Sequence, residues 1–101
     1  MIERSSEAML DMAAHILYLN RKAGAEVALR FVDSVEEALG RLEQFPQLGR
    51  LRHFRQPGLR SWMVPGFRRW LLFYLSTENG IRLYRVIHSA MDLETQLGRE
   101  S

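Results

Sequence analysis

The stretch that decides the fold is RRWLLFYLSTENGIRLYRVIH, residues 68–88. Asn79-Gly80 divides it into two apolar runs, and this dipeptide is the strongest short signal for a tight β-hairpin turn. A third apolar run stands upstream and ends at Pro65-Gly66, which also favours a turn. The three runs therefore predict an antiparallel meander whose strands are residues 59–64, 68–77 and 81–88.

Upstream of the meander, the sequence has the periodicity of two helices. Apolar side chains recur every three or four residues over 9–19 and again over 28–42. Gly24 separates the two series, and Pro46 follows the second. Glycine and proline at these positions are suited to end a helix. The predicted helices, residues 6–22 and 25–45, form an antiparallel hairpin. With 101 residues the chain has room for one domain. We expect an α+β fold in which this hairpin packs on a three- to four-stranded antiparallel β-sheet.

The two turns set the register that we predict for the meander. If both are tight, Phe73 lies opposite Val86, and alternate side chains point to opposite faces of the sheet. Arg85 then falls on the face that packs on the helices, where Asp33 or Glu37 is the expected partner. The other members of this face are apolar: Leu59, Met63, Trp70, Leu72, Tyr74, Ile81, Leu83 and Ile87.

The opposite face of the predicted sheet mixes aromatic, aliphatic and basic side chains. A tight turn at Pro65-Gly66 places Trp62 opposite Arg69 on this face. No predicted helix remains to cover it, and apolar residues ringed by arginines are typical of a binding surface. We therefore predict a partner-binding face made of Arg60, Trp62, Arg69, Leu71, Phe73, Arg82, Tyr84, Val86 and His88.

The formal net charge of +2 conceals an uneven distribution. Residues 46–88 contain eight arginines and one acidic residue, a formal +7, whereas the rest of the chain has six basic and eleven acidic residues, a formal −5. Lys22 is the single lysine among the 14 basic residues. Arginine binds carboxylates and phosphates through two parallel hydrogen bonds, so the clustering indicates an anionic partner.

Several classes of protein are disfavoured by composition. No run approaches the roughly 18 apolar residues of a membrane span, and the N-terminus does not resemble a signal peptide. The chain has no cysteine, which fits a reducing cytoplasm. His15 has no second histidine at metal-binding spacing, and we predict neither a metal site nor a cofactor.

Three segments carry a resemblance to a known family: PQLGR at 46–50, GLRSWMVPGFRRWLLFYL at 58–75 and IRLYRVIHSAMDL at 81–93. They resemble the RelE/ParE superfamily of toxins from type II toxin–antitoxin systems, and most of all its ParE branch. Met91 stands where the ParE pattern usually has arginine before Asp92, and the N-terminal strand is short. The resemblance implies a helix hairpin on an antiparallel sheet and a cognate, ParD-like antitoxin, in a heterotetramer or larger complex. It also implies DNA gyrase as target in the ParE branch, or ribosome-dependent cleavage of mRNA in the RelE branch.

His88 is the residue on which an enzymatic role depends. By resemblance to the nuclease branch, Arg60 and Arg69 would steady a phosphate and His88 would act as acid or base. Trp62 replaces a basic residue of that branch, however, and no carboxylate lies on the predicted face. The alternative role for His88 is structural or partner-contacting, with Asp92 as a hydrogen-bond partner. The first hypothesis is thus a non-enzymatic gyrase inhibitor, the second an mRNA interferase, and the third a non-toxic binding module.

Overall fold

A hairpin of two helices packs on one face of a five-stranded sheet in the computed structural model, which describes residues 1–100. The helices are α1 Ser6–Ala23, α2 Ala25–Gln44 and α3 Leu93–Leu97. The strands are β1 Ile2–Arg4, β2 Arg50–Leu51, β3 Arg60–Val64, β4 Phe67–Thr77 and β5 Gly80–His88. Their order across the sheet is β1-β5-β4-β3-β2, with β1 parallel to β5 and the other neighbours antiparallel. The α+β class is confirmed, but the sheet has five strands and is mixed.

The helix hairpin begins and ends within a residue of the predicted bounds. Ser5 caps α1, because its side-chain oxygen accepts a hydrogen bond from the Ala8 N–H at 3.0 Å. The Ser5 hydroxyl also donates to the Tyr84 carbonyl at 2.7 Å, which ties the start of α1 to β5. Gly24 joins the two helices with φ of +97°, a conformation that suits glycine.

The β4–β5 turn is displaced by one residue from the prediction. Thr77 pairs with Gly80, so the loop is Glu78-Asn79 and not Asn79-Gly80. The N-terminus explains the displacement, because the Ile81 N–H donates to the Met1 carbonyl at 3.2 Å. A Cβ on Gly80 would overlap that same carbonyl. Next to the turn the register therefore moves by two residues, which leaves each side chain on its predicted face.

Two irregularities reverse the faces farther from the turns. The β4–β5 register shifts between Phe73 and Tyr74, which leaves Tyr84 unpaired as a bulge in β5. In the β3–β4 hairpin, Val64 pairs with Phe67 but Met63 pairs with Leu71. Three residues of β4, 68–70, thus have no partner in β3. Both shifts are odd, so the side chains beyond them point to the face opposite the predicted one.

The predicted division into two faces is therefore wrong for eight residues. Placed on the helix side by the structure are Arg60, Trp62, Val86 and His88. Placed on the outer face are Leu59, Met63, Arg85 and Ile87.

The centre of the outer face of the sheet is covered, contrary to the prediction. Phe73 is buried there against Leu97 of α3 in one apolar cluster. The Phe54 ring packs edge-on against Phe73, with 6.1 Å between ring centroids. The segment between β2 and β3 is bonded to the residue that follows α3, since the Arg55 N–H donates to the Gly98 carbonyl at 3.0 Å. A loop and a short helix thus replace the solvent expected on this face.

Candidate functional surface

Seven of the eight arginines in residues 46–88 form no ion pair with a carboxylate of residues 1–100. Arg85 is the exception. Acidic side chains elsewhere pair with other groups, such as Glu36 with Arg4. The positive charge of this segment is therefore not neutralised within the described part of the chain. The five exposed members, here termed the free arginines, are Arg50, Arg55, Arg68, Arg69 and Arg82.

The other two unpaired arginines hold in place the segment between α2 and β3, residues 45–59, here termed the basic loop. The Arg60 guanidinium donates to the carbonyls of Gln47 and Gly49, at 3.4 and 2.8 Å. Arg52 donates to the Ser61 hydroxyl at 3.0 Å and lies over the Phe73 ring. Burial, with the charge of a neighbouring arginine, lowers the pKa of Arg52. Arg60 is thus a structural residue here and not an open cationic side chain.

Tyr74 anchors the start of the same loop. Its hydroxyl donates to the Pro46 carbonyl at 2.7 Å and accepts from the Gly49 N–H at 2.8 Å. A Cβ on Gly49 would overlap this hydroxyl, which explains why glycine follows proline by three residues in PQLG. The Tyr74 side chain is buried, and burial raises its pKa. The phenol therefore fixes the path of the chain that carries the arginines.

Arg85 is paired with Asp11, a residue that the sequence did not suggest. Its Nε and Nη2 atoms lie 2.7 and 3.0 Å from the two carboxylate oxygens. The Val86 N–H also donates to Asp11, at 2.9 Å. The predicted partners were Asp33 and Glu37, and this prediction is wrong. Arg85 pairs with Phe73 on the outer face of the sheet, whereas Asp33 and Glu37 lie beside the β3–β4 turn. Hydrogen bonding and charge at Asp11 raise the pKa of Arg85.

His88 lies at the end of β5, on the helix side. Its ring packs edge-on against Trp70, with 4.6 Å between centroids, and its Nδ1 accepts from the Ala90 N–H at 3.1 Å. The predicted bond to Asp92 is wrong, because that carboxylate caps α3 by accepting from the Glu94 N–H at 3.1 Å. Burial, and then the charges of Arg69 and His15, lower the pKa of His88. These effects favour the uncharged ring.

The three residues that the nuclease hypothesis requires, Arg60, Arg69 and His88, do not form one cluster. They are termed the nuclease candidates. Arg60 pairs with Tyr74 and His88 pairs with Trp70, so four residues of β4 separate them, about 13 Å along a strand. The Arg60 guanidinium is already bound to loop carbonyls. Arg69 is exposed and close enough to influence His88. Within residues 1–100, no group of three histidine or acidic side chains is placed to hold a metal ion.

The nine residues of the predicted binding face have different environments. Arg69 and Arg82 are exposed, whereas Phe73 and Val86 are buried. Partly covered are Arg60, Trp62, Leu71, Tyr84 and His88. One continuous open face does not exist, and the binding role of its exposed members stays a prediction.

The outward surface of α1 is apolar, which sequence reasoning missed. Leu10 and Leu17 are 72% and 62% exposed. Apart from Tyr18, the polar side chains of residues 9–19 both contact β5, since His15 bonds the Val86 carbonyl and Asp11 pairs with Arg85. A helix that is apolar nearly all round is ordinarily buried on all sides. Apolar residues on every side of α1 were therefore the sequence signal that could have identified this surface. In residues 1–100, no helix is both long and apolar enough to cross a membrane.

The helix hairpin on a five-stranded sheet, together with the matches to known proteins, identifies the chain as a member of the RelE/ParE superfamily. The family described as "ParE toxin of type II toxin-antitoxin system, parDE" matches residues 2–93. The chain therefore belongs to the ParE toxin family. It is similar to Toxin ParE3 of Caulobacter vibrioides, with 32% identity over 78 residues that cover 77% of this chain and 75% of that protein. A solved structure titled "Chromosomal ParDE TA system from P. aeruginosa" has the same fold, with a TM-score of 0.71 and 21% identity over 86% of this chain and 92% of that one.

Proposed function

We propose that this ParE family member inhibits DNA gyrase in the bacterial cytoplasm without catalysing a reaction, and that a cognate antitoxin neutralises it. Family membership over residues 2–93 carries the proposal. The free arginines support it, because an unneutralised basic surface suits an acidic partner.

The positions of the nuclease candidates favour the non-enzymatic hypothesis over the mRNA interferase. Cleavage through a 2′-hydroxyl needs an acid and a base around one phosphate, together with cations for its developing charge. Arg60 is engaged with the Gly49 carbonyl, and His88 packs against Trp70 on the helix side. Arg69 alone among the candidates is exposed. These three residues therefore lack the convergent geometry of a phosphodiester-cleaving site.

The proposed antitoxin segment is acidic, amphipathic and disordered when free. Its carboxylates would face the free arginines, while its apolar side chains would cover exposed residues such as Met63. Exposed charges act at long range mainly on the rate of association. Raising salt from low to physiological concentration should therefore slow association by about tenfold and change dissociation little.

A cell-free translation extract that contains a plasmid and gyrase tests the proposed target. We expect gyrase-dependent DNA damage with intact message. Message cut in translating ribosomes would instead establish the mRNA interferase, and an extract with both DNA and message unchanged would establish the non-toxic binding module. The matched control is the same chain mixed beforehand with the product of the neighbouring gene, the expected antitoxin, which should abolish the effect.

A further inference from the structure

We propose that the outward surface of α1 is an interface with a second copy of this chain, formed by two antiparallel α1 helices around a twofold axis between Ala13 and Ala14. The surface consists of Leu10, Ala13, Ala14 and Leu17 and is termed the α1 stripe. This proposal concerns self-association and does not depend on gyrase being the target.

The α1 stripe points directly away from the body of the protein. Each residue advances about 100° around a helix, and the buried Ala8 and Leu19 mark the side of α1 that packs on the core. The mean direction of the stripe is opposite to that side. Contiguous exposed apolar surface of this kind is typical of an interaction site.

The stripe is self-complementary in an antiparallel arrangement. With the axis between Ala13 and Ala14, Leu10 of one copy is level with Leu17 of the other, and large side chains meet at both ends. The two alanines occupy the centre, where small side chains let helices approach to about 8 Å between axes. An isologous interface requires this kind of match between a surface and itself.

Charged residues at the two ends of α1 select the antiparallel orientation. Glu7, Ala14 and Arg21 lie seven residues apart, on the same side of the stripe. In the proposed dimer, Glu7 of one copy lies close to the level of Arg21 in the second copy. The two positions differ by one residue, or about 1.5 Å along the helix axis. Arg21 forms no ion pair within residues 1–100. Glu7 accepts from the Ser6 hydroxyl at 2.9 Å and lies near Arg85 and Arg82 of β5, without an ion pair to either. A parallel pair would bring like charges together, and its helix dipoles would also be aligned unfavourably.

Analytical ultracentrifugation of the full chain tests the interface. A single helix pair is a small interface, so we expect a monomer–dimer equilibrium in the micromolar range. Leu17→Glu should weaken dimerisation at least about tenfold, because it places two charges among apolar side chains. Leu29 is a matched control, since it is 64% exposed on α2 and lies outside the stripe. Leu29→Glu should leave the equilibrium unchanged.

Single cysteines test the orientation, since the chain has no natural cysteine. The two Ala14 positions should lie within the roughly 7 Å between Cα atoms that a disulfide allows, whereas the two Leu10 positions lie about 10 Å apart along the axis. Ala14→Cys should therefore form a cross-linked dimer under mild oxidation, and Leu10→Cys should not. Circular dichroism checks that each variant is folded.

The charged pair gives an independent test. Glu7→Arg and Arg21→Glu should each weaken the dimer about tenfold, because either change converts two attractive pairs into repulsive ones, and the double variant should restore it. A wild-type chain that stays monomeric throughout the micromolar range would overturn the proposal and leave the stripe to a different chain, such as an antitoxin helix. Equal cross-linking of Leu10→Cys and Ala14→Cys would also overturn it.

Discussion

Removal of one hydroxyl group, in the variant Tyr74→Phe, should strongly destabilise this protein. The hydroxyl forms two hydrogen bonds, to the Pro46 carbonyl and from the Gly49 N–H, at 2.7 and 2.8 Å. Each bond contributes about 1 kcal/mol net, and a buried N–H left without a partner adds to the loss. We therefore expect the free energy of unfolding to fall by about 2–3 kcal/mol.

Urea denaturation followed by circular dichroism measures this loss. For a domain of about 100 residues, the expected change corresponds to a melting temperature lower by about 10–20 °C. Tyr18→Phe is the matched control, because Tyr18 is 45% exposed. Its substitution should change the free energy of unfolding by less than about 0.5 kcal/mol. A Tyr74→Phe variant as stable as the Tyr18→Phe variant would refute the assignment of Tyr74 as the anchor of the basic loop.

Four other substitutions should separate structural from surface roles. Asp11→Asn leaves the partly buried Arg85 charge without its partner, so urea denaturation should show a loss of about 3 kcal/mol or more. The pKa of His88 is lowered in the folded state, so the unfolded chain takes up a proton first, and the free energy of unfolding should fall as pH decreases below 6.5. His88→Gln should reduce that pH dependence, and an unchanged slope would contradict the assignment. Arg69→Ala and Arg82→Ala should retain the stability of the wild type within about 0.5 kcal/mol, while stopped-flow measurements should show slower association with the antitoxin.

Much of the fold follows from local sequence signals. The helix periodicity and Gly24 gave both long helices within a residue of their bounds, and three strands were placed by their apolar runs. The displaced turn could not be predicted, because it depends on the Met1 carbonyl at the position that Gly80 leaves open. Contacts between the chain terminus and a distant turn leave no local signal.

The candidate surface was less predictable than the fold. Face assignments depend on counting residues from a turn, and an odd shift in either hairpin reverses every position beyond it. Arg60 and Val86 were misplaced for this reason. The five-residue helix α3 is too short to produce a periodic pattern, so the cover over Phe73 was not foreseen. The exposure of Leu17 was missed because an apolar stripe was interpreted as core.

The most direct test of the central proposal is plasmid supercoiling by purified DNA gyrase in the presence of this chain. If the chain inhibits gyrase, supercoiling should decrease in proportion to its concentration, and prior mixing with the antitoxin should restore it. The denatured chain is the control for nonspecific effects of its positive charge. Supercoiling that proceeds at the uninhibited rate with the folded chain in molar excess over gyrase would contradict the proposed function.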